Sequence, residues 1–131
     1  MPNWGCLMDG IILTVGVGGG GSPGNLPIEL TIASGDTEQI DVYDGSSCPY
    51  MTWQVSASDR TSLINATRFF TISALHDFEG NADFNCYSIL GAEFNLTINI
   101  STGIPDTNIV FSITNNEAFP LDICAIRMTT Q

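Results

Sequence analysis

The stretch from Leu13 to Asn25, LTVGVGGGGSPGN, contains a literal G-x-G-x-x-G in Gly16-Val17-Gly18-Gly19-Gly20-Gly21. Glycines at that spacing cradle a pyrophosphate only where they join a strand to a helix whose N-terminus faces the anion, with an acidic residue about 20 positions further on. Here Gly21 is followed by Ser22-Pro23-Gly24-Asn25-Leu26-Pro27. Two prolines and two further breakers occupy the first turns of any such helix, so no helix can grow. No lysine follows for a Walker loop either. The tract, with Gly16, Gly18, Gly19, Gly20 and Gly21, reads as a flexible tether, because ordering glycine costs the most backbone entropy.

The single histidine, His76, stands beside Asp77 in ALHDFEGNADFN, but no G-x-S-x-G nucleophile elbow accompanies it. A lone histidine before a turn reads as a surface residue. No residue is assigned a catalytic role, and the carboxylate pairs that 14 acids create by chance do not single out a glycosidase. The chain is not expected to be an enzyme. The same segment offers Asp77, Glu79, Asn81, Asp83 and Asn85, hard oxygen donors at alternate positions beside Gly80, which is the ligand chemistry of calcium. It departs from EF-hand order because Ala82 stands where the loop glycine should be, so a solvated turn competes with a calcium site. A second acidic loop carries Asp36, Glu38, Asp41 and Asp44.

Cys6, Cys48, Cys86 and Cys124 are spaced 42, 38 and 38 residues apart, with no C-x-x-C pair. Zinc sites need ligands paired a few residues apart, so no metal is expected here. The thiols read as free and buried, since no secretion signal argues for disulfides. No cofactor is implied. Sequons at Asn65, Asn95 and Asn99 read as polar strand positions in a chain rich in Thr, Asn and Ser.

Charge narrows the partners. With no lysine, three arginines and a net charge of −11, the chain would be repelled by phosphate backbones. Nucleic acid is excluded, and anionic membrane surfaces are disfavoured for the same reason. MPNWGCLMDG has no basic n-region, Asp9 interrupts its apolar stretch, and IILTVGV is too short to span a bilayer, so neither a signal peptide nor a membrane anchor is expected. Charged residues make up 13% of the chain, about half the usual share in soluble domains. Depletion of charge marks interface cores, so a homo-oligomer contacting other protein subunits is expected.

These residues must be positioned by strands. Ile28, Leu30 and Ile32 alternate with Glu29 and Thr31; Ile40 and Val42 are expected on one face; Met51, Trp53 and Val55 alternate with Thr52, Gln54 and Ser56. Phe70, Ile72 and Ala74 repeat the rhythm, CYSIL reads as a short strand, and Phe94, Leu96, Ile98 and Ile100 alternate with Asn95, Thr97, Asn99 and Ser101. NIVFSIT and LDICAIRMT complete the set. Ser58–Asn65 reads as one helical turn, Trp53 as core, and Tyr43, Tyr50 and Tyr87 as bordering turns. About eight short strands without an amphipathic helix predict an all-β protein, a single β-sandwich or jelly-roll-like domain over 26–131.

Residues 1–25 form a separate N-terminal arm, with Trp4, Leu7, Met8, Ile11, Ile12, Leu13 and Val15 as an apolar hook on the glycine tether. Such a hook gains by docking on a neighbouring subunit, although Ile11 to Val17 also reads as a first strand of the body. An acidic, lysine-free β-sandwich with the VGVGGGGSPGN tether resembles small accessory proteins of virus particles, in kind the tailed-phage capsid decoration or cement proteins. The resemblance implies a structural protein of the virion, oligomeric and often armed, that bridges and stabilises capsid subunits. A tail or fibre component would read alike. The alternative is an extracellular carbohydrate-binding or adhesin-type sandwich with calcium in the Asp77 to Asn85 loop.

Overall fold

The structure is a computed structural model that describes residues 26–59 and 66–128. The N-terminal arm, its glycine tether and most of the turn expected at Ser58–Asn65 lie outside the described residues; Ser58 and Asp59 themselves close a strand. The fold is all-β. Eight strands are described: β1 (Ile28–Ile32), β2 (Thr37–Asp44), β3 (Tyr50–Asp59), β4 (Ala66–His76), β5 (Ala82–Gly91), β6 (Leu96–Thr102), β7 (Asn108–Asn115) and β8 (Leu121–Met128).

They form two antiparallel sheets, five strands in the order β1-β8-β3-β4-β5 and three in the order β2-β7-β6. The pairing of β1 with β8 and β2 with β7 reproduces the nested outer ribbons of a jelly roll. The following strands, β3, β4 and β5, stay in one sheet as a meander, so the roll is not completed. One sheet is therefore two strands wider than the other.

The central strands alternate: β3 and β7 bury every second side chain along their whole length, and β8 does so from Leu121 to Ala125. Trp53, Phe70 and Ile72 of the wider sheet meet Ile109, Phe111 and Ile113 of the narrower one, all essentially dry. The Trp53 and Phe111 rings lie 4.9 Å apart between centroids, tilted by 45°, which joins the sheets near their middle. An aromatic pair in such geometry adds about 0.5–1.5 kcal/mol beyond its buried area.

Two departures from alternation matter. In β2 the register shifts between Gln39 and Asp41, a β-bulge that leaves Ile40 buried but turns Val42 outward, contrary to the expectation that the two share a face. The extra residue aims Asp41 toward the sandwich, opposite Phe111. At the far edge, β5 is ten residues long, extending the expected CYSIL strand back through Asp83 and Asn85, which the sequence pattern places in an acidic loop. Gly91 closes it with φ +91° where a Cβ would stand 2.1 Å from the Thr67 carbonyl oxygen, so only glycine lets β5 reach β4.

Candidate functional site

The loops at one end of the sandwich organise around His76. Contrary to the surface position expected for it, His76 is 3% exposed. Its Nε2 donates to the Gly45 carbonyl at 2.9 Å while Nδ1 accepts the Phe78 backbone N–H at 3.1 Å, which defines a neutral ring with both nitrogens used. Gly45 permits this approach, since a Cβ there would lie 2.7 Å from Nε2. Phe78 packs edge-on against the imidazole at 4.5 Å and is held at φ 63°, a left-handed conformation that costs a bulky residue about 1–2 kcal/mol. The histidine is a strut between two loops, with no atom left for acid–base work.

The calcium candidates separate. Asp77 folds its own turn: Oδ1 accepts from the Glu79 and Asn81 backbone N–H groups, and Oδ2 accepts from Asn81 Nδ2 at 2.7 Å. The Asn81 side-chain bond and those two backbone bonds hold the exposed carboxyl below the usual aspartate range. Asp83 and Asn85 lie instead on β5, and Asp83 accepts from the Phe84 N–H. No group of three or more His, Cys, Asp or Glu side chains suited to a metal occurs among the described residues.

Two polar clusters missed at the sequence level lie inside the fold, and both are structural. Asp41 receives Trp53 Nε1 at 2.8 Å, Arg127 Nε at 2.6 Å and Arg127 Nη2 at 3.0 Å, clasping the narrow sheet to the wide one. Burial pushes its pKa up, but the hydrogen bonds from Arg127 and Trp53 outweigh that and hold it below 3.8. Arg127 also caps the Val42 carbonyl and lies over the Tyr43 ring. The second cluster is Asn115, completely buried, whose amide donates to the Ile32 and Phe119 carbonyls and accepts from the Glu117 N–H. No sequence signal pairs residues 86 positions apart.

Among the described residues, the wide sheet offers an open face to a partner. Its outer face carries Tyr50 and Leu75 directly opposite each other, each 50% exposed. Beside them Thr52, Ser73 and Tyr87 link hydroxyl to hydroxyl across three strands, at 2.9 and 2.8 Å. Asp83 and Asn85 complete a shallow trough of about 220 Å³. Three hydroxyls joined by two bonds keep one O–H free, and reversing the chain moves that donor from one end to the other. Along the outer edge, Phe84, Tyr87, Ile89 and Leu90 of β5 are exposed, and no charged residue stands between Phe84 and Leu90. Cys48, Cys86 and Cys124 are free thiols, with burial raising the pKa of Cys86 and of Cys124.

No family model and no curated protein matches the sequence. Among solved structures, the tailspike protein of Acinetobacter phage vB_ApiP_P1 is similar in fold, with a TM-score of 0.55 at 8% identity over 88% of this chain. The match covers 23% of the tailspike chain, so this protein spans about a quarter of its length. At that identity the likeness is one of fold.

Proposed function

We propose that this protein is a non-catalytic structural module of a bacteriophage particle that holds neighbouring subunits together, as a decoration or cement protein does. The observation that carries the reading is the β5 edge, which has no strand neighbour among the described residues and no charged residue from Phe84 to Leu90, on a chain of net charge −11. Long exposed apolar edges are association sites, and natural monomers blunt them with charge or proline. The fold likeness to a segment of a phage tailspike supports a place in the virion. The arm around Trp4 and Ile12 would supply a second attachment through its tether, raising overall affinity by effective concentration.

Sedimentation velocity of the chain in reducing buffer, with and without residues 1–20, tests the reading. Self-association is expected in both forms and tighter in the longer one; a monomer in both overturns assembly by this chain alone. For the arm, Trp4→Ala and Ile12→Asp are expected to lower particle occupancy with the sandwich still folded, and normal occupancy in both refutes it.

The trough favours a second reading, a carbohydrate-binding module. Its reversible hydroxyl chain and the Asn85 amide suit a polyhydroxylated ligand, and Tyr50 with Leu75 offers an apolar floor for one sugar face. Asp83 and the absence of Lys or Arg among the lining residues favour a neutral sugar over an anionic one. Glycan-array binding lost in Tyr50→Ala is the expected result, and no binding to any neutral glycan refutes it.

A further inference from the structure

We infer that β5 is the pairing edge for a second copy of this chain, the two strands running antiparallel across a two-fold axis perpendicular to the sheet and centred at Asn85. This rests on the assembly reading above and specifies its partner and register.

Three observations carry it. First, β5 ends the five-stranded order, so one side of a ten-residue strand has no neighbour among the described residues. Backbone donors and acceptors along such an edge template another strand. Secondly, the edge suits a partner of the same charge sign. Copies carrying −11 each can approach only where charge is missing, and Asp83 is the one charged residue on β5. A cationic partner would instead be drawn to the acidic loops that hold Asp44, Asp77, Glu79 and Asp106.

Thirdly, the register is self-complementary. The register of β5 against β4 steps from Phe69–Leu90 to Thr71–Tyr87, a bulge that bends the strand and limits straight pairing to the part before it. A perpendicular two-fold keeps each face of the sheet on its own side, so directly opposed residues must differ by an even number of positions. Centring at Asn85 sets Asn85 against its copy, Phe84 against Cys86 and Asp83 against Tyr87. The two Asp83 residues then lie about 14 Å apart along the strand, four residues at ~3.4 Å each. That exceeds the Debye length of about 10 Å at 0.1 M salt. The pairing joins two five-stranded sheets into one of ten strands, with both outer faces left open.

The test uses Asn85, an exposed position whose amide makes no hydrogen bond to another described residue. Two full-length variants, Asn85→Lys and Asn85→Asp, are examined by sedimentation velocity alone and as an equimolar mixture, with circular dichroism as the control for folding. In each variant alone, like charges meet at about 5 Å across the axis, and at least tenfold weaker self-association is expected. In the mixture, opposite charges meet, and a Lys–Asp heterodimer is expected to form. The form lacking residues 1–20 is expected to keep the pairing.

If both variants associate like the wild type, the subunits meet through another surface; this inference falls and the assembly reading survives. If both dissociate and mixing restores nothing, the symmetric register at Asn85 is wrong. If removing residues 1–20 abolishes the dimer, the arm and not a second β5 occupies the edge. A monomeric wild-type chain removes this inference together with the reading beneath it.

Discussion

Replacing Asn115 by aspartate changes one nitrogen to oxygen at a site with no solvent access. In the native fold that nitrogen donates to two carbonyl oxygens, at 3.0 Å (Ile32) and 2.8 Å (Phe119), while Oδ1 accepts from the Glu117 N–H at 2.9 Å. An ionised carboxylate keeps the last bond and places negative oxygen against both carbonyls. Held neutral, it has one O–H for two acceptors, and the orphaned carbonyl costs about 1–3 kcal/mol. Keeping the proton at pH 7 costs about 1.4 kcal/mol for each unit between an unfolded pKa near 3.9 and pH 7, about 4 kcal/mol in all. The two contributions together come to about 5–7 kcal/mol at neutral pH, comparable with the roughly 5–15 kcal/mol that stabilises a typical domain.

The sign of the pH dependence follows. The folded aspartate has the higher pKa and binds more protons than the unfolded one, so Asn115→Asp loses stability as pH rises above about 4. Urea unfolding of wild type and variant at pH 5 and pH 7 measures it. With m near 1–2 kcal/mol per molar for a chain of this size, the midpoint is expected to fall by about 2 M or more at pH 7 and by clearly less at pH 5. A loss under 1 kcal/mol at pH 7, or a loss equal at both pH values, refutes the account of Asn115 as a dry, triply bonded strut.

Asp41→Asn is expected to cost about 1–3 kcal/mol at pH 7 by weakening the bonds from Arg127 and Trp53. Because the folded Asp41 pKa lies below 3.8, its stabilisation is fully present above that value and is lost as pH falls through the folded pKa. The gap between wild type and variant should therefore close in acid, and chemical denaturation between pH 2 and pH 6 that shows a constant gap contradicts the clasp. Gly91→Ala places a methyl where the Thr67 carbonyl already stands, at positive φ, so a fall in Tm of several degrees is expected, and an unchanged Tm rejects the close approach. Gly45→Ala should displace the His76 ring from its strut; imidazole NMR signals identical to wild type count against that. Phe78→Gly relieves the left-handed conformation but removes the edge contact to His76, and a net change within about 1 kcal/mol is expected from the two opposed effects.

Much of the architecture is legible in the residues alone. Period-two runs of Ile, Val, Phe and Trp bury one face of β3, β7 and β8 and make a sandwich the economical way to hide them; the burial of Trp53 follows from equally local chemistry. What escaped is what depends on contacts across the fold. The alternation at Ile40 and Val42 is broken by a bulge whose purpose, aiming Asp41 at Trp53 and Arg127, is visible only when β8 lies beside β3. His76 looked exposed because its protection comes from Gly45, 31 positions away. The five oxygen donors of the acidic segment alternate in sequence like ligands, yet pairing with β4 draws Asp83 and Asn85 into a strand and leaves Asp77 to its own turn. Local propensity sets which residues become strands; which strand ends at an open edge is decided by sheet order, a property of long-range pairing that no window of the sequence contains.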